Sequence, residues 1–343
     1  MEAHNAQGHG ISKEGRKSDL PLRIAHVGAG EWSRYAHGPA LQRLAKQSLV
    51  SLELICDLQI ERARQFRDLF HYRLASDNIH QILAEVRPDA IVCTVQPSAT
   101  AELVRSLLPL RIPLFIEKPP GISLSEATSL ATASVASDTF TFVAFNRRSI
   151  PSIVRLKEWA THNPVRFARA EMLRTNRLEP DFAVATGIHA IDTIRFLMGN
   201  PESIEVKTRS HDNSAAHDYL VRLHFANSAM AEISLMLNTG LRRESYFLSS
   251  AGTTAEAALG SAYSSDLCFQ GDRQWSGETI TQQHALANDP LIDGGFIGEY
   301  EEFLRLLAEG AQSTCSLTDA AYSMQLAEAV QNNYSGPLPP LVY

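Results

Sequence analysis

From Leu22 onwards the sequence alternates short apolar runs with longer amphipathic segments. The apolar runs cover residues 22–27, 50–57, 89–95, 112–117 and 139–145. Between them, residues 59–70 and 98–110 place apolar side chains at the helical period of about 3.6 residues. Strands separated by helices form a parallel sheet with helices on both faces, because each crossover has to return the chain to the same edge. Such sheets bind ligands at the carboxyl ends of their strands.

The first apolar run ends in a glycine-rich turn, Gly28-x-Gly30-x-x-Ser33. In a dinucleotide-binding turn the first glycine permits a tight bend, and the second lets the backbone approach a pyrophosphate at a helix N-terminus. The third position eases packing of helix against strand, and serine is the next smallest residue there. A strand before the turn and a helical pattern after it strengthen the signal. The sequence therefore predicts an N-terminal Rossmann dinucleotide-binding domain over residues 21–145.

Asp57 follows the second apolar run, 29 positions after Gly28. A carboxylate at this place accepts hydrogen bonds from both hydroxyls of a ribose and repels a 2′-phosphate. The expected cofactor is therefore NAD, with NADP as the second possibility. The alternative for Asp57 is that it caps the helix that follows.

After residue 145 the sequence alternates apolar and polar residues with period two. Runs of this kind cover 165–173, 203–208, 220–225, 229–237, 244–250 and 266–271. Alternation indicates strands with one buried face, and residues 226–228 between two runs indicate a hairpin turn. Helical segments at 296–310 and 318–331 close the chain. We predict a C-terminal α+β domain over residues 146–335 with a large, mostly antiparallel open sheet, and a tail at 336–343.

Length and composition fit a two-domain protein that binds a small molecule. A chain of 343 residues exceeds what one compact core supports. Its formal charge of -7 and the lack of a basic run argue against nucleic acid, whose phosphates need clustered Lys and Arg. Residues 1–20 are polar, which predicts a flexible leader rather than a signal peptide, and no later window is apolar enough for a membrane helix.

The four cysteines lack the spacing of a metal site, so no metal is expected. They are Cys56, Cys93, Cys268 and Cys315. Buried thiols without a disulfide framework are typical of a reducing compartment, which makes the cytoplasm the expected location.

Lys118 stands where the apolar run 112–117 ends, in the stretch EKPPG. At the carboxyl end of a strand its side chain faces the predicted crevice, and Pro119 and Pro120 stiffen the chain that aims it. The alternative is an ordinary surface lysine with its charged end in water.

The helical segment 186–199 carries a second candidate, because His189 and Asp192 are three residues apart and share a face. An imidazole beside a carboxylate suits general acid–base work near neutral pH. Taken alone, a histidine in such a helix is more often structural.

With both clusters identified, the chain resembles the glucose-fructose oxidoreductase / inositol dehydrogenase / MocA (Gfo/Idh/MocA) family over about residues 21–335. The matching stretches, in chain order, are GAGEWSRYAHGPAL, CD at 56–57, EKPPGIS, FNRR at 145–148, GIHAIDTIRFLMG and GEYEEFLRLL. The resemblance implies an NAD(P)-dependent oxidoreductase that transfers a hydride between nicotinamide and a sugar, an inositol or a related polyhydroxylated substrate.

The resemblance also implies roles for single residues. Lys118 would hydrogen-bond the reacting oxygen, His189 would exchange its proton, and Asp192 would bind a neighbouring hydroxyl or orient the site. Trp32 either packs on the cofactor or anchors its helix. The expected cofactor contacts are Gly28, Gly30, Glu31, Trp32, Ser33, Asp57, Thr94, Gln96, Pro97, Glu117 and Lys118.

Three positions depart from the family pattern. The aspartate often found four residues before the histidine is Ala185, and Thr100 stands near the place of a histidine in the loop VQPSATAEL. Ser33 replaces the third fingerprint glycine. Loss of the aspartate puts the substrate class in question, although both groups that handle the proton remain.

Four arginines are candidate ligands of an anionic substrate: Arg147, Arg148, Arg174 and Arg177. Guanidinium groups match carboxylates and phosphates, so two of them in the cleft would indicate a sugar acid, a sugar phosphate or a nucleotide sugar. The alternative for each is a solvated surface arginine.

Three hypotheses for function stay open at this point. The favoured one is a dehydrogenase or reductase of a sugar-like alcohol. The second is a glycosidase or lyase that retains NAD and oxidises a sugar carbon only transiently, and the third is a non-catalytic NAD(P)-binding sensor, suggested by Ala185 and the missing loop histidine. A homodimer or homotetramer is expected, because the alternating strands at 219–237 offer a sheet face that an oligomer can bury.

Overall fold

The structure is a computed structural model that describes residues 21–212, 214–259, 265–270, 278–280 and 289–343. The predicted leader, residues 1–20, lies outside these ranges. Two sheets organise the described residues, one in the front half of the chain and one in the back half.

The front sheet has six parallel strands in the order β3-β2-β1-β4-β5-β6. They are β1 (Leu22–Val27), β2 (Val50–Cys56), β3 (Leu74–Ser76), β4 (Ala90–Cys93), β5 (Leu114–Glu117) and β6 (Thr141–Ala144). Strand order reverses between β1 and β4, which opens a crevice above their carboxyl ends. The predicted Rossmann-type α/β architecture is confirmed. The sequence pattern does not predict β3, because three half-buried residues carry no periodic signal.

Five helices cover this sheet. They are α1 (Gly38–Lys46), α2 (Ile60–Phe70), α3 (Ile79–Val86), α4 (Pro97–Leu107) and α5 (Leu124–Ser137). The apolar spacing decides which side faces inwards: α2 buries Ala63, Phe66 and Phe70, with the two phenyl rings 4.5 Å apart. A side-chain cap begins α5, where the Ser123 hydroxyl accepts the N–H of Glu126.

The back sheet has nine strands in the order β14-β13-β12-β11-β7-β10-β9-β8-β15. They are β7 (Phe167–Leu173), β8 (Ser203–Ser210), β9 (His217–His224), β10 (Met230–Met236), β11 (Arg243–Ser250), β12 (Thr253–Leu259), β13 (Ser265–Gln270), β14 (Glu278–Ile280) and β15 (Gly336–Pro337). Among the described strands of this sheet, β7 and β10 alone pair in parallel, so the predicted mostly antiparallel sheet is confirmed. The predicted hairpin joins β9 to β10, with His224 opposite Met230.

The remaining helices pack on both sheets. They are α6 (Pro151–His162), α7 (Ile188–Met198), α8 (Pro290–Asp293), α9 (Phe296–Glu309) and α10 (Leu317–Gln331). Helix α7 lies on β7 and β10, whereas α9 returns to the front sheet, where the Tyr300 ring stacks on Phe115 at 4.4 Å between centroids. Helix α10 packs along α5. These contacts hold the two halves together around a cleft, and the division of the chain at residue 145 stays a prediction.

Cys56, Cys93 and Cys315 are buried free thiols, and the side chain of Cys268 lies outside the described part of the chain. No described group of three or more His, Cys, Asp and Glu side chains is placed to hold a metal ion. Within the described ranges, no helix is both long and apolar enough to cross a bilayer.

Candidate active site

A cleft of about 1040 Å³ lies between the two halves of the protein. One wall follows the carboxyl ends of β1, β4 and β5, and the other comes from segments around β7, α7 and β11. Its volume suits a dinucleotide together with a small substrate. The lining residues are Ala29, Gly30, Glu31, Trp32, Ser33, Arg34, Arg62, Gln65, Thr94, Val95, Gln96, Pro97, Glu117, Lys118, Pro119, Arg147, Arg174, Arg177, Ala185, Thr186, His189 and Arg242.

The fingerprint turn after β1 has the backbone that its glycines permit. Gly28 has a φ of 105°, and a Cβ on it would lie 2.5 Å from the carbonyl oxygen of Thr94. Gly30 lines the cleft, and a Cβ there would meet no atom within 4 Å. The space beside Gly30 lets a pyrophosphate approach the backbone, so the turn fits a dinucleotide.

Ser33 uses its hydroxyl group to tie this turn to β4. Its Oγ is hydrogen-bonded to Oγ1 of Thr94, and Thr94 Oγ1 also lies 3.0 Å from the carbonyl oxygen of Gly28. A glycine at position 33 would lack this bond. The departure from the family pattern therefore has a structural use here.

Asp57 stabilises the fingerprint turn through hydrogen bonds to main-chain N–H groups. Its Oδ2 accepts the N–H of Ala29 at 2.9 Å, and its Oδ1 accepts the N–H of Gln59 at 2.9 Å. Gln59 occupies the N-cap position of α2 but makes no side-chain capping hydrogen bond there. Arg62 lies 3.7 Å from Oδ2 and lines the cleft, whereas Asp57 does not. A contact between Asp57 and a ribose stays a prediction.

Glu117 is buried directly beside Lys118. Its Oε1 accepts a hydrogen bond from Nε1 of Trp32 at 2.7 Å and lies 3.3 Å from Nε2 of His37. Nδ1 of His37 lies 2.8 Å from the Tyr300 hydroxyl on α9. Burial acts to raise the pKa of Glu117, but the His37 hydrogen bond and the Lys118 charge outweigh it and lower that pKa. Trp32 thus anchors the turn as well as lining the cleft.

Lys118 extends its ammonium group to the carbonyl oxygen of Ala185, with 3.0 Å between Nζ and the oxygen. Ala185 lies in the short π-helical segment that leads into α7. Burial lowers the pKa of Lys118; Glu117 opposes this effect, while Arg147 and Arg177 add to it. A main-chain carbonyl therefore holds the lysine at the position where the family pattern often has a carboxylate.

His189, in the first turn of α7, lines the same cleft and is only 7% exposed. Its Nδ1 is buried and has no hydrogen-bond partner among the described residues. Burial, Arg147, Lys118 and Arg174 all lower its pKa, which lies well below the usual value. The imidazole is therefore neutral near pH 7, and Nδ1 is available to a ligand.

Two of the predicted substrate arginines share one buried carboxylate. Glu244, on β11, lies 3.3 Å from Nε of Arg147 and is also hydrogen-bonded to Nη2 of Arg174. Burial acts to raise the pKa of Glu244, but the two guanidinium groups outweigh it and lower that pKa to about 2. Both arginines line the cleft, as does the exposed Arg177.

Asp192 requires a correction, because the structure does not place it at the cleft. Its carboxylate is fully buried and accepts two hydrogen bonds from Arg148, at 2.8 Å and 2.6 Å, and one from the Ser323 hydroxyl at 2.6 Å. His189 and Asp192 lie on the same helix, but the imidazole lines the cleft whereas the carboxylate is buried against Arg148 and Ser323. Arg148, which also pairs with Asp319, is likewise removed from the set of substrate candidates.

Sequence reasoning misses Arg242, which lines the cleft from the loop before β11. Strand register explains its position: Leu173 at the end of β7 pairs with Arg243 at the start of β11. Arg174 and Arg242 therefore lie close together at the same end of these two paired strands. No local signal marks this pairing, because the two segments are far apart in the chain.

Comparison with known families agrees with this geometry. The family model described as "Oxidoreductase family, NAD-binding Rossmann fold" matches residues 22–145, and its partner, "Oxidoreductase family, C-terminal alpha/beta domain", matches residues 178–336. The chain belongs to the Gfo/Idh/MocA oxidoreductase family. The fold, the NAD-binding domain and the oxidoreductase class expected from the sequence are thereby confirmed.

The relatives with which the chain was compared one by one are distantly similar to it. Myo-inositol 2-dehydrogenase of Thermotoga maritima is 23% identical over 190 residues, which is 52% of this chain and 55% of that protein. The aligned part thus spans little more than half of that relative. Two solved structures share the fold over nearly the whole chain.

The first of these structures is levoglucosan dehydrogenase in complex with NADH, with a TM-score of 0.80, 15% identity and coverage of 93% of this chain and 100% of that one. The second is an oxidoreductase from Agrobacterium radiobacter in complex with NAD+, L-tartaric acid and magnesium. Its TM-score is 0.76, with 17% identity and coverage of 93% and 98%. At such identities the likeness shows the Gfo/Idh/MocA fold alone.

Proposed function

We propose that the chain is an NAD-dependent dehydrogenase or reductase that interconverts an alcohol and a ketone on a sugar, an inositol or a related polyhydroxylated substrate. The observation that carries the proposal is that Lys118 and His189, from different halves of the chain, line one cleft beside the fingerprint turn. The names of two relatives, myo-inositol 2-dehydrogenase and levoglucosan dehydrogenase, support the substrate class.

The cofactor would be held by three segments that line the cleft. Residues 29–33 would bind the pyrophosphate, and residues 94–97 together with Glu117 and Lys118 would flank the nicotinamide. When bound, NAD supplies the hydride-accepting carbon, which no side chain can provide. NAD rather than NADP follows from the proposed contact between Asp57 and the ribose.

The protein has two tasks in alcohol oxidation: it removes one proton and stabilises one developing charge. Lys118, oriented by the Ala185 carbonyl, donates a hydrogen bond to the substrate hydroxyl oxygen and stabilises its alkoxide character. His189, neutral because of its lowered pKa, accepts the hydroxyl proton as general base. In the reducing direction His189 returns that proton.

The test is an assay of the purified protein with NAD and a panel of polyols, inositols and sugars, read by the absorbance of NADH. Substrate-dependent NADH formation supports the proposal. Cleavage of an aryl glycoside without net NADH would instead favour the NAD-retaining glycosidase. Tight NAD binding without turnover of any substrate, and without an effect of His189→Ala on binding, would favour the sensor.

The pH profile of kcat/KM should reflect both lowered pKa values. His189 has to be neutral to accept the proton, so a lowered pKa moves the acidic limb below pH 6.5, the ordinary value for histidine. Lys118 has to be protonated to donate, so a lowered pKa moves the alkaline limb below about 10.4. Rates from pH 5 to 10.5 would check this, and an acidic limb above the ordinary histidine value would count against His189 as the base.

Oligomeric state and location stay predictions from the sequence. A homodimer or homotetramer in the cytoplasm is the form we propose, and light scattering of the purified protein would detect a monomer if that is wrong.

A further inference from the structure

One side of the cleft is lined by a group of cationic side chains that the proposed proton transfer does not use. We call it the arginine wall and define it as Arg147, Arg174, Arg177 and Arg242. Its members come from the short helix after β6, the segment after β7 and the loop before β11. The whole chain has a formal charge of -7, so this concentration of arginine is not a consequence of a basic composition.

The described carboxylates near the arginine wall do not balance its charge. Glu244 forms ion pairs with both Arg147 and Arg174, and Glu179 forms an ion pair with Arg177. Glu117 lies beside Lys118. Glu299 is buried, its carboxylate has no hydrogen-bond partner among the described residues, and burial and Glu117 raise its pKa. Five cations therefore face three ionised carboxylates. The groups are Lys118 and the arginine wall on one side, and Glu117, Glu179 and Glu244 on the other.

Such an excess is costly in a partly buried site unless a bound anion offsets it. Lys118 is already assigned to the charge that develops on the reacting oxygen. Glu117 lies beside Lys118, so the two are set aside together, and the four guanidinium groups then exceed Glu179 and Glu244 by two positive charges. A bound carboxylate offsets one of these charges, and water solvates the exposed guanidinium groups of Arg177 and Arg242.

Two members of the wall have donors available to such an anion. Arg242 is exposed at the cleft and has no hydrogen-bond or ion-pair partner among the described residues. Arg177 uses Nε and Nη2 on Glu179 and Thr186, and no described residue accepts from its Nη1. The buried, unpartnered Nδ1 of His189 in the same cleft independently indicates that a polar ligand belongs there.

We infer that the substrate carries a carboxylate, bound by Arg177 and Arg242, in addition to the alcohol that reacts beside Lys118. The substrate class would then be a sugar acid, such as an aldonate or a uronate. Planar guanidinium groups bind carboxylates through paired hydrogen bonds, which fixes the distance between the acid group and the reacting carbon. This inference rests on the proposed function and narrows its substrate.

The experiment compares acids with their neutral partners on the complex of the protein with NADH. Calorimetric titrations would use gluconate against sorbitol, galacturonate against galactose, and glucuronate against glucose, with glucose 6-phosphate as the dianion. One charge-assisted contact predicts that at least one acid binds about 10- to 100-fold more tightly than its partner. Arg242→Gln should remove most of that advantage while NADH affinity is kept.

Arg243→Gln is the matched control, because Arg243 is the next residue, is exposed and pairs with Glu256 outside the cleft. It should leave the advantage of the acid unchanged. The inference is overturned if every acid binds no more tightly than its neutral partner, or if glucose 6-phosphate binds more tightly than the acids. It is also overturned if Arg243→Gln loses as much of the acid's advantage as Arg242→Gln does.

Turnover of the same compounds separates this inference from the proposed function. Acids that bind tightly but never yield NADH would refute the dehydrogenase and leave the carboxylate site standing. Neutral polyols that are oxidised, with no preference for any acid, would leave the dehydrogenase standing and refute the carboxylate site.

Discussion

Replacing Lys118 with methionine is expected to lower kcat by about a thousandfold while the protein still binds NADH. Methionine is unbranched and only one atom shorter than lysine, but it cannot donate the hydrogen bond that stabilises the developing alkoxide. Removal of one such preorganised donor typically costs two to three powers of ten in kcat. Single-turnover kinetics with the substrate found in the panel would measure the loss.

Lys157→Met is the matched control for this experiment. Lys157 is also a half-buried lysine whose ammonium group donates to a main-chain carbonyl, that of Phe196 at 2.7 Å, but it does not line the cleft. Its replacement should leave kcat unchanged. If Lys118→Met keeps its kcat and loses NADH affinity instead, Lys118 is a cofactor ligand without a role in proton transfer.

Replacing Asp192 with asparagine is expected to lower the free energy of unfolding by about 3 kcal/mol, because it leaves Arg148 in a buried site without its closest countercharge. Arg148 is 10% exposed and Asp192 is not exposed at all, so water cannot replace the lost ion pair. Urea unfolding of both proteins at pH 7 would measure the difference.

The exposed pair of Arg222 and Glu232 on the back sheet supplies the comparison for Asp192. Glu232→Gln should not measurably change stability, since exposed ion pairs contribute little. Folded Asp192→Asn protein should retain the wild-type pH profile. Unchanged stability with a large loss of kcat would restore Asp192 to the reaction and refute the structural role.

Local patterns are sufficient to predict most of the elements that form the site. The turn from Gly28 to Ser33 follows a strand and precedes a helix, and Lys118 directly follows a strand, so both face the crevice in any parallel sheet of this kind. His189 is placed by the helical period of its segment together with the family resemblance. These inferences hold because each depends on a few neighbouring residues.

Other predictions fail where the deciding partner is distant in sequence. The spacing of His189 and Asp192 indicates one helix face, yet the carboxylate turns to Arg148 and Ser323, because α7 is packed between other elements that no spacing reveals. Strand β12 is rich in alanine and is held as a strand by its pairing with β11 on one side and β13 on the other. At position 185, where the family pattern often has an aspartate, the main-chain carbonyl of Ala185 accepts the hydrogen bond from Lys118. Every residue has such a carbonyl, so no side chain in the sequence indicates this contact.

The sequence by itself therefore determines the two kinds of sheet, the dinucleotide turn and the two residues proposed to act on the substrate hydroxyl, since periodicity and short motifs act over a few residues. Tertiary structure alone decides that Arg174 and Arg242 lie at the same end of β7 and β11, that Asp192 is enclosed by arginines and that Lys118 reaches Ala185. Charge balance in a cleft depends on which distant groups come within a few ångströms of each other. That distance is set by strand register and helix packing.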